Sequence, residues 1–507
     1  MTRGPRFKGG NPGSGPLRWA DWKAIDALEI RRLTNDSRAV RRGDTFVAYP
    51  GYSHDGRNFI GQALAGGAAS VLWERSGFEW KREWRTPNLG LCNMRRHAGE
   101  IASRLYGRPS TRLRMIGVTG TNGKTTCSHW IAQALTRAGR DCAVIGTLGS
   151  GLRAPLKPVA NTTPDALWLH AQLAEFARRG AQAVAMEVSS IGLDQDRVAG
   201  VEFDVALFTN LTRDHLEYHH TLRSYQDAKA RLFAWESLKH AVVNLDDDFG
   251  ARLARRIRRP GLDVVGYGFG ATRGARVAGA NLVTGAHGVS FDVRSPWGSA
   301  RVTSPVLGRH NAYNLLGTLT VLLASGLPLR KAIVVLAAVK PVSGRLQRLG
   351  GGAKPLVVVD YAHTPDALQH ALTTLRELLD NSSPITRHPS RLICVFGCGG
   401  DRDRGKRPLM GRVAQRIADR IVVTSDNPRG EDPRDIIKDI VAGTRDAAEE
   451  IVIEPNRRAA IRRAVASARR GDIVLLAGKG HESYQEIRGA RRPFSDVAVA
   501  REALAER

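Results

Sequence analysis

Ten residues carry the clearest chemistry in this chain: Gly117, Val118, Thr119, Gly120, Thr121, Asn122, Gly123, Lys124, Thr125 and Thr126. An apolar run, 113–118, leads into them. Beyond them Trp130, Ile131, Ala134 and Leu135 recur at helical spacing. A strand, a glycine loop and a helix in that order form a phosphate cradle. Glycines let the backbone curl so that N–H groups face phosphate oxygens at the positive end of the helix dipole. Lys124 is then expected to reach the outer phosphates of ATP, and the Thr125 hydroxyl to ligate Mg²⁺. The generic loop needs glycine at position 118, where this chain has Val118; its glycines stand at 117, 120 and 123. That spacing disfavours the helicase or transporter type of loop.

Three residues downstream extend the phosphoryl-transfer chemistry. Glu187 ends the apolar run 181–188 and puts a carboxylate where magnesium at such a loop needs an oxygen ligand. His215 follows the next apolar run, 203–210, and Lys229 sits in a helical stretch over 225–233. Taken singly, each also reads as an ordinary solvated or core-edge residue.

The elements that must position these groups belong to a long α/β chain. At 507 residues it exceeds one hydrophobic core, and about three domains is the natural division. A basic Gly/Pro-rich tail, 1–16, lacks the apolar segment of a signal peptide. A small N-terminal α/β domain is expected over 17–109, a central P-loop domain with a parallel sheet over 110–338, and a C-terminal Rossmann-like domain over 339–507. In the last, apolar runs at 355–360, 391–396, 420–424 and 472–477 each end in polar or Gly-rich residues. Ligand sites in open parallel sheets lie at strand carboxyl ends, so these four ends predict a binding face. No run of 18 apolar residues crosses a membrane. Five cysteines without a CxxC pair suit reduced thiols in a cytoplasm.

The net charge is +27, yet only 13 of the 76 basic residues are lysines and the arginines scatter through every segment. We read most of them as solvated surface residues. Attraction of polyanionic small substrates comes next, and a nucleic-acid partner last.

The loop motif, with Glu187, His215 and Lys229 in that order after it, resembles the Mur ligase family and the related folylpolyglutamate synthetases. The resemblance runs from about residue 30 to the C-terminus and implies an ATP- and Mg²⁺-dependent carboxylate–amine ligase of peptidoglycan precursor synthesis. It implies that Lys229 is carbamylated by CO₂ and holds a second Mg²⁺ with His215. Asn35, Ser37, Tyr52, Ser53 and His54 look like the family's uridine-binding residues. Asn161, Thr162, Thr163, Ser189, Gln195 and Arg197 look like those that hold the muramoyl diphosphate and peptide.

By the same resemblance Asn311 lies near the adenine and Asp360 contacts the ribose. Arg345 is expected to lean over the phosphates when the C-terminal domain closes. Asp426, Asn427, Pro428 and Arg429 resemble the signature of the diaminopimelate-adding branch. A guanidinium fork matches the distal carboxylate of that amino acid and repels the ammonium of lysine. Arg402, Gly478 and Glu482 complete that pocket. Ile191 and His310 depart from the family's usual His and Phe. The rival readings are lysine addition, folate polyglutamylation, a nucleic-acid-binding P-loop ATPase and a ligase-like protein that binds nucleotide without catalysis.

Overall fold

The computed structural model describes residues 15–52, 54–270, 274–285, 287–380, 389–444 and 451–507. The expected tail at 1–16 and Ser53 lie wholly or largely outside the described residues. The described residues form a four-stranded, a ten-stranded and a six-stranded sheet, plus a two-stranded ribbon.

The first sheet holds β1 (Leu33–Thr34), β2 (Thr45–Ala48), β3 (Ser70–Glu74) and β4 (Asn88–Leu91), all parallel. The central sheet begins with β5 (Arg114–Thr119), β6 (Cys142–Gly146), β7 (Gly149–Gly151), β8 (Ala183–Glu187) and β9 (Val205–Phe208). It continues through β10 (His240–Asn244), β11 (Asp263–Gly268), β12 (Val277–Gly285), β13 (Gly288–Ser295) and β14 (Gly298–Ser304). In space β5 runs between β8 and β9, with β6 beyond β8 and β10 beyond β9. Successive strands thus add to opposite sides of β5, which opens a crevice at its carboxyl end.

The sequence of β5 explains its central place. Met115 faces one apolar layer with Leu169, Leu173 and Phe176, while Ile116 and Val118 face the other with Trp130, Ile131 and Leu319. Alternating side chains that are apolar on both faces need helices above and below. The helix Lys124–Arg137 covers one face, and its predicted stripe of Trp130, Ile131, Ala134 and Leu135 is buried.

The third sheet orders β15 (Gln347–Gly350), β16 (Leu356–Asp360), β20 (Ile473–Ala477), β17 (Leu392–Phe396), β18 (Arg420–Val423) and β19 (Ile451–Ile453). All but β15 are mutually parallel. The four polar segments singled out in the sequence follow the carboxyl ends of β16, β17, β18 and β20. The ribbon β21 (Tyr484–Ile487) and β22 (Ala490–Pro493) follows β20. A buried ion pair, Arg457 to Asp496 at 2.7 Å, ties the helix Arg457–Ser467 to the helix Asp496–Ala505.

Candidate active site

The loop after β5 is shaped by its neighbours as much as by its own glycines. Gly120 has φ +150°, and a Cβ there would lie 1.9 Å from Thr209 Oγ1. Gly123 has φ +86°, with Asn314 Oδ1 only 2.4 Å from a built Cβ. The Thr121 amide donates to the Asn210 carbonyl, and the Asn122 amide to Asn210 Oδ1, both at 2.9 Å. Two loop amides are therefore committed to the protein. The first turn of the helix Lys124–Arg137, whose amides have no intrahelical acceptor, supplies the remaining donors.

Two ammonium groups meet on one carbonyl. Lys124 Nζ donates to the Gly120 and Thr121 carbonyls at 2.9 Å. Lys229 Nζ donates to the same Gly120 carbonyl at 2.8 Å. Lys229 is on the helix Leu222–Ala230, 1% exposed, with its ammonium 4.4 Å from the Tyr225 ring centroid. Burial, and then the neighbouring Lys124, hold the Lys229 pKa well below its usual range. Burial also lowers that of Lys124. The expected reach of Lys124 toward outer phosphates thus requires it to leave two carbonyls.

Glu187 is fully buried at the end of β8. Its Oε1 accepts from the Thr147 amide at 2.7 Å, and its Oε2 from Thr125 Oγ1 at 2.9 Å and Thr147 Oγ1 at 3.2 Å. Arg345 Nη2 donates to the same Thr125 hydroxyl at 2.9 Å, and its guanidinium lies over the Tyr361 ring. Arg345 therefore reaches from the C-terminal part of the chain to the first turn of the loop helix. Asn122 Nδ2 bonds Asp366 Oδ2 at 2.9 Å, and Arg213 bonds both oxygens of Asp403 at 2.8 and 3.1 Å. The central sheet and the C-terminal sheet thus meet over the loop.

His215, at φ +53°, has Nε2 3.4 Å from Asp214 Oδ2 and Nδ1 3.6 Å from Glu217 Oε1. Burial would raise the Asp214 pKa, but His215, His363 and Lys406 outweigh it and hold the carboxyl well below its usual range. Asp214 was not singled out from sequence; it stands beside His215 in a run already marked. Thr125, Glu187, His215 and Lys229 all line one cavity of about 520 Å³. Gly123, Asn311, Arg345 and Asp360 line it too. Asn311 Nδ2 is occupied by the Leu307 carbonyl at 2.8 Å, and Asp360 Oδ2 accepts from the Leu346 amide at 2.7 Å.

The other predicted residues form two further groups. Thr162 and Ser189 reach the cavity wall. Thr163 is buried, its hydroxyl donating to the Glu187 carbonyl at 3.0 Å and lying 3.1 Å from Ser189 Oγ, so it braces the site from behind. Arg197 bonds Gln195 Oε1 and the Thr163 carbonyl. Asn161 is exposed on the loop preceding them. Asn35 Nδ2 lies 3.4 Å from Tyr49 Oη, and Ser37 Oγ bonds Gln62 Oε1 at 2.8 Å. Tyr52 is 68% exposed and packs on Tyr218, with centroids 4.9 Å apart. The carbonyl of exposed His54 accepts from the Gly51 amide. None of these N-terminal residues lines the cavity.

At the C-terminal strand ends, Arg429 (φ +52°) donates from Nη1 to the Gly400 carbonyl at 2.8 Å and lies 3.7 Å from Glu486. Arg402 lies 3.9 Å from Glu217. The Pro428 carbonyl accepts from the Glu431 amide. Gly478 has φ +116°, and a Cβ there would sit 2.3 Å from Asp426 Oδ2. Glu482 Oε2 accepts from Asn427 Nδ2 at 2.9 Å and from Lys479 Nζ at 2.7 Å. Lys479 escaped the sequence reading, although it lies between Gly478 and Glu482.

Comparison with known proteins finds matches over all three parts of the chain. The Mur ligase family, catalytic domain matches residues 29–106, the Mur ligase middle domain 118–322, and the Mur ligase, glutamate ligase domain 344–480. The chain is 52% identical over 478 residues to the UDP-N-acetylmuramoyl-L-alanyl-D-glutamate–2,6-diaminopimelate ligase of Chromobacterium violaceum, covering 94% of each. It is 49% identical over 488 residues to the ligase of that name from Nitrosomonas europaea, covering 94% of this chain and 93% of the relative. A solved structure of a ligase of that name has TM-score 0.66 and 39% identity, covering 94% of this chain and 95% of that one. A crystal structure of MurF from Acinetobacter baumannii, at 20% identity and TM-score 0.65, shares the fold. With its three sheets matched by the three domain descriptions in order, the chain belongs to the Mur ligase family.

Proposed function

We propose that this enzyme adds meso-2,6-diaminopimelate to the D-glutamyl γ-carboxylate of UDP-N-acetylmuramoyl-L-alanyl-D-glutamate, with ATP as co-substrate, in the cytoplasm. The observation that carries this reading is the cavity joining the loop helix, Glu187, Lys124 and Lys229, on a chain about half identical to ligases named for that reaction. In this reading 17–109 binds the uridine end, 110–338 activates the carboxylate, and 339–507 presents the amine.

A carboxylate resists amine attack because its charge repels the nucleophile and its oxygen leaves poorly. Transfer of the γ-phosphoryl group to a carboxylate oxygen releases ADP and gives an acyl phosphate. The amine then forms the C–N bond, loses a proton, and phosphate leaves with that oxygen. For the first step the chain mainly positions groups and neutralises charge. Lys124 moves from the Gly120 and Thr121 carbonyls onto the transferring phosphoryl group, and Arg345 adds a second positive charge. The contact of Arg345 over the loop limits the access of water to the acyl phosphate.

The Thr125 hydroxyl and the Glu187 carboxylate, 2.9 Å apart, are the hard oxygen donors that a Mg²⁺ at the phosphates takes. His215 and Lys229 fit a second Mg²⁺ only if the ammonium is replaced by an anion. Burial, which disfavours the Lys229 ammonium, favours the neutral amine that CO₂ requires; addition would give a carbamate and release one proton. Bound Mg²⁺ neutralises charge on the phosphates.

The test is phosphate release with the UDP-muramoyl dipeptide and either meso-diaminopimelate or L-lysine. We expect release with the former and little with the latter, and no stimulation by DNA or RNA. Equal rates with the two amines would remove the role given to Arg429.

A further inference from the structure

Lys479 is fully buried at the carboxyl end of β20, with no counterpart role in the phosphate chemistry. Its ammonium lies 2.9 Å from Asn427 Oδ1 and 2.7 Å from Glu482 Oε2, 5.6 Å from the Tyr484 ring centroid. Asn427 closes the triangle by donating from Nδ2 to the same Glu482 Oε2 at 2.9 Å. Asn427 Oδ1 accepts once more, from the Glu486 amide at 2.9 Å. The strand β21 is itself fastened to this loop, since the Arg429 amide donates to the Glu486 carbonyl and the Arg488 amide to the Arg429 carbonyl.

Two consequences follow from donor and acceptor counting. Asn427 can hold this geometry with only one amide orientation, because its oxygen faces two donors and its nitrogen one acceptor. Glu482 Oε2 receives two donors, one of them charged, so its rotation is fixed and Oε1 is the oxygen left to meet a ligand. A buried lysine is costly unless paired, so the arrangement persists only with Glu482 ionised beside it.

We propose that Lys479 is a positioning residue for the amine substrate: it sets the Glu482 carboxylate and the Asn427 amide in the orientation that receives the amino-acid ammonium group. The proposal rests on the ligase reading above. It adds that amine selectivity depends on a residue that does not itself touch the amine. Lys479 also balances the Glu482 charge. An incoming ammonium therefore meets a dipolar, near-neutral pair and not an isolated anion, which favours a ligand that brings its own carboxylate to Arg429.

The experiment compares wild type, Lys479→Met, Lys479→Arg, Glu482→Gln and the Lys479→Met/Glu482→Gln double variant. Lys479→Met is expected to raise KM for meso-diaminopimelate about tenfold or more while changing KM for ATP less than about twofold. The double variant is expected to be no worse than Glu482→Gln alone, because one residue acts through the other. Additive effects, or equal rises in both KM values, would overturn the proposal. The second readout is the crystal structure of the Lys479→Met variant, which needs no amine. Displacement of the Glu482 carboxylate or inversion of the Asn427 amide supports positioning; an unchanged pair overturns it. Should wild type turn over neither amine, the ligase reading fails while the crystal structure still decides the role of Lys479. Lys479→Arg, which keeps the charge but not the shape, covers a Met variant that fails to fold: a raised amine KM with unchanged melting supports positioning, and unchanged amine KM overturns it.

Discussion

The two ends of this site handle charge in opposite ways. At the loop after β5, two lysines share the Gly120 carbonyl and repel each other, with Glu187 occupied by hydroxyls and an amide. At the end of β20, Lys479, Asn427 and Glu482 satisfy one another in a closed triangle. The first end gathers two lysines and the Glu187 and Asp214 carboxylates around one cavity and is suited to a polyanion whose charge grows during reaction. The second is internally neutral and suited to a zwitterion that must be recognised by shape. On the proposed reading the first arrangement serves catalysis and the second selectivity.

The largest effect should come from breaking the first end. Lys124→Ala is expected to lower kcat by a factor on the order of 10³, measured as phosphate release at saturating substrates. Retained activity would remove Lys124 from phosphoryl transfer. Lys229→Ala should cost on the order of a hundredfold or more, with partial recovery on adding a short carboxylate such as acetate. Depleting CO₂ should slow wild type and leave Lys229→Ala indifferent; the opposite pattern would exclude a carbamate.

The paired end predicts a smaller and more selective loss. Arg429→Ala is expected to raise KM for meso-diaminopimelate about tenfold to a hundredfold with little change for ATP. Alongside it, discrimination against lysine should shrink. A uniform fall in kcat with both amines would mean that the two ends are not separable as argued.

Much of this contrast could be read from residue order alone, and the reason differs from place to place. β5, β8 and β9 were legible because strands buried on both faces are continuous apolar runs. The groups that matter at them stand at the next polar residue, as Glu187 does. The four C-terminal strand ends were legible for the same cause. What escaped was reciprocity. Thr163, one of the residues that look like the muramoyl-binding segment, has its hydroxyl on the Glu187 carbonyl and beside Ser189 Oγ. Nothing in the residue order shows that Lys479 holds Glu482. Donor–acceptor pairing between Asn427 and Glu482, 55 residues apart, has no periodicity to betray it.

Weaker effects are expected away from both ends. Arg213→Ala breaks a partly exposed pair with Asp403 and should change kcat/KM less than about threefold at moderate salt. Burial lowers the pKa of His129 and His170 from 6.5 to about 4. Their folded pKa values lie below the unfolded value, so their contribution is complete above pH 6.5. It is lost as the pH falls toward 4, because the unfolded chain takes up the protons first. Melting temperature should therefore decline through that window, and a flat profile would show these imidazoles to be hydrated.

The Thr125 hydroxyl joins Glu187 on one side to Arg345 on the other, so a single oxygen spans the seam between two sheets. Under the proposed reading, a nucleotide reaching the helix Lys124–Arg137 would have to part the Arg345 bridge. On that reading the seam would act as a latch fastened at one hydroxyl.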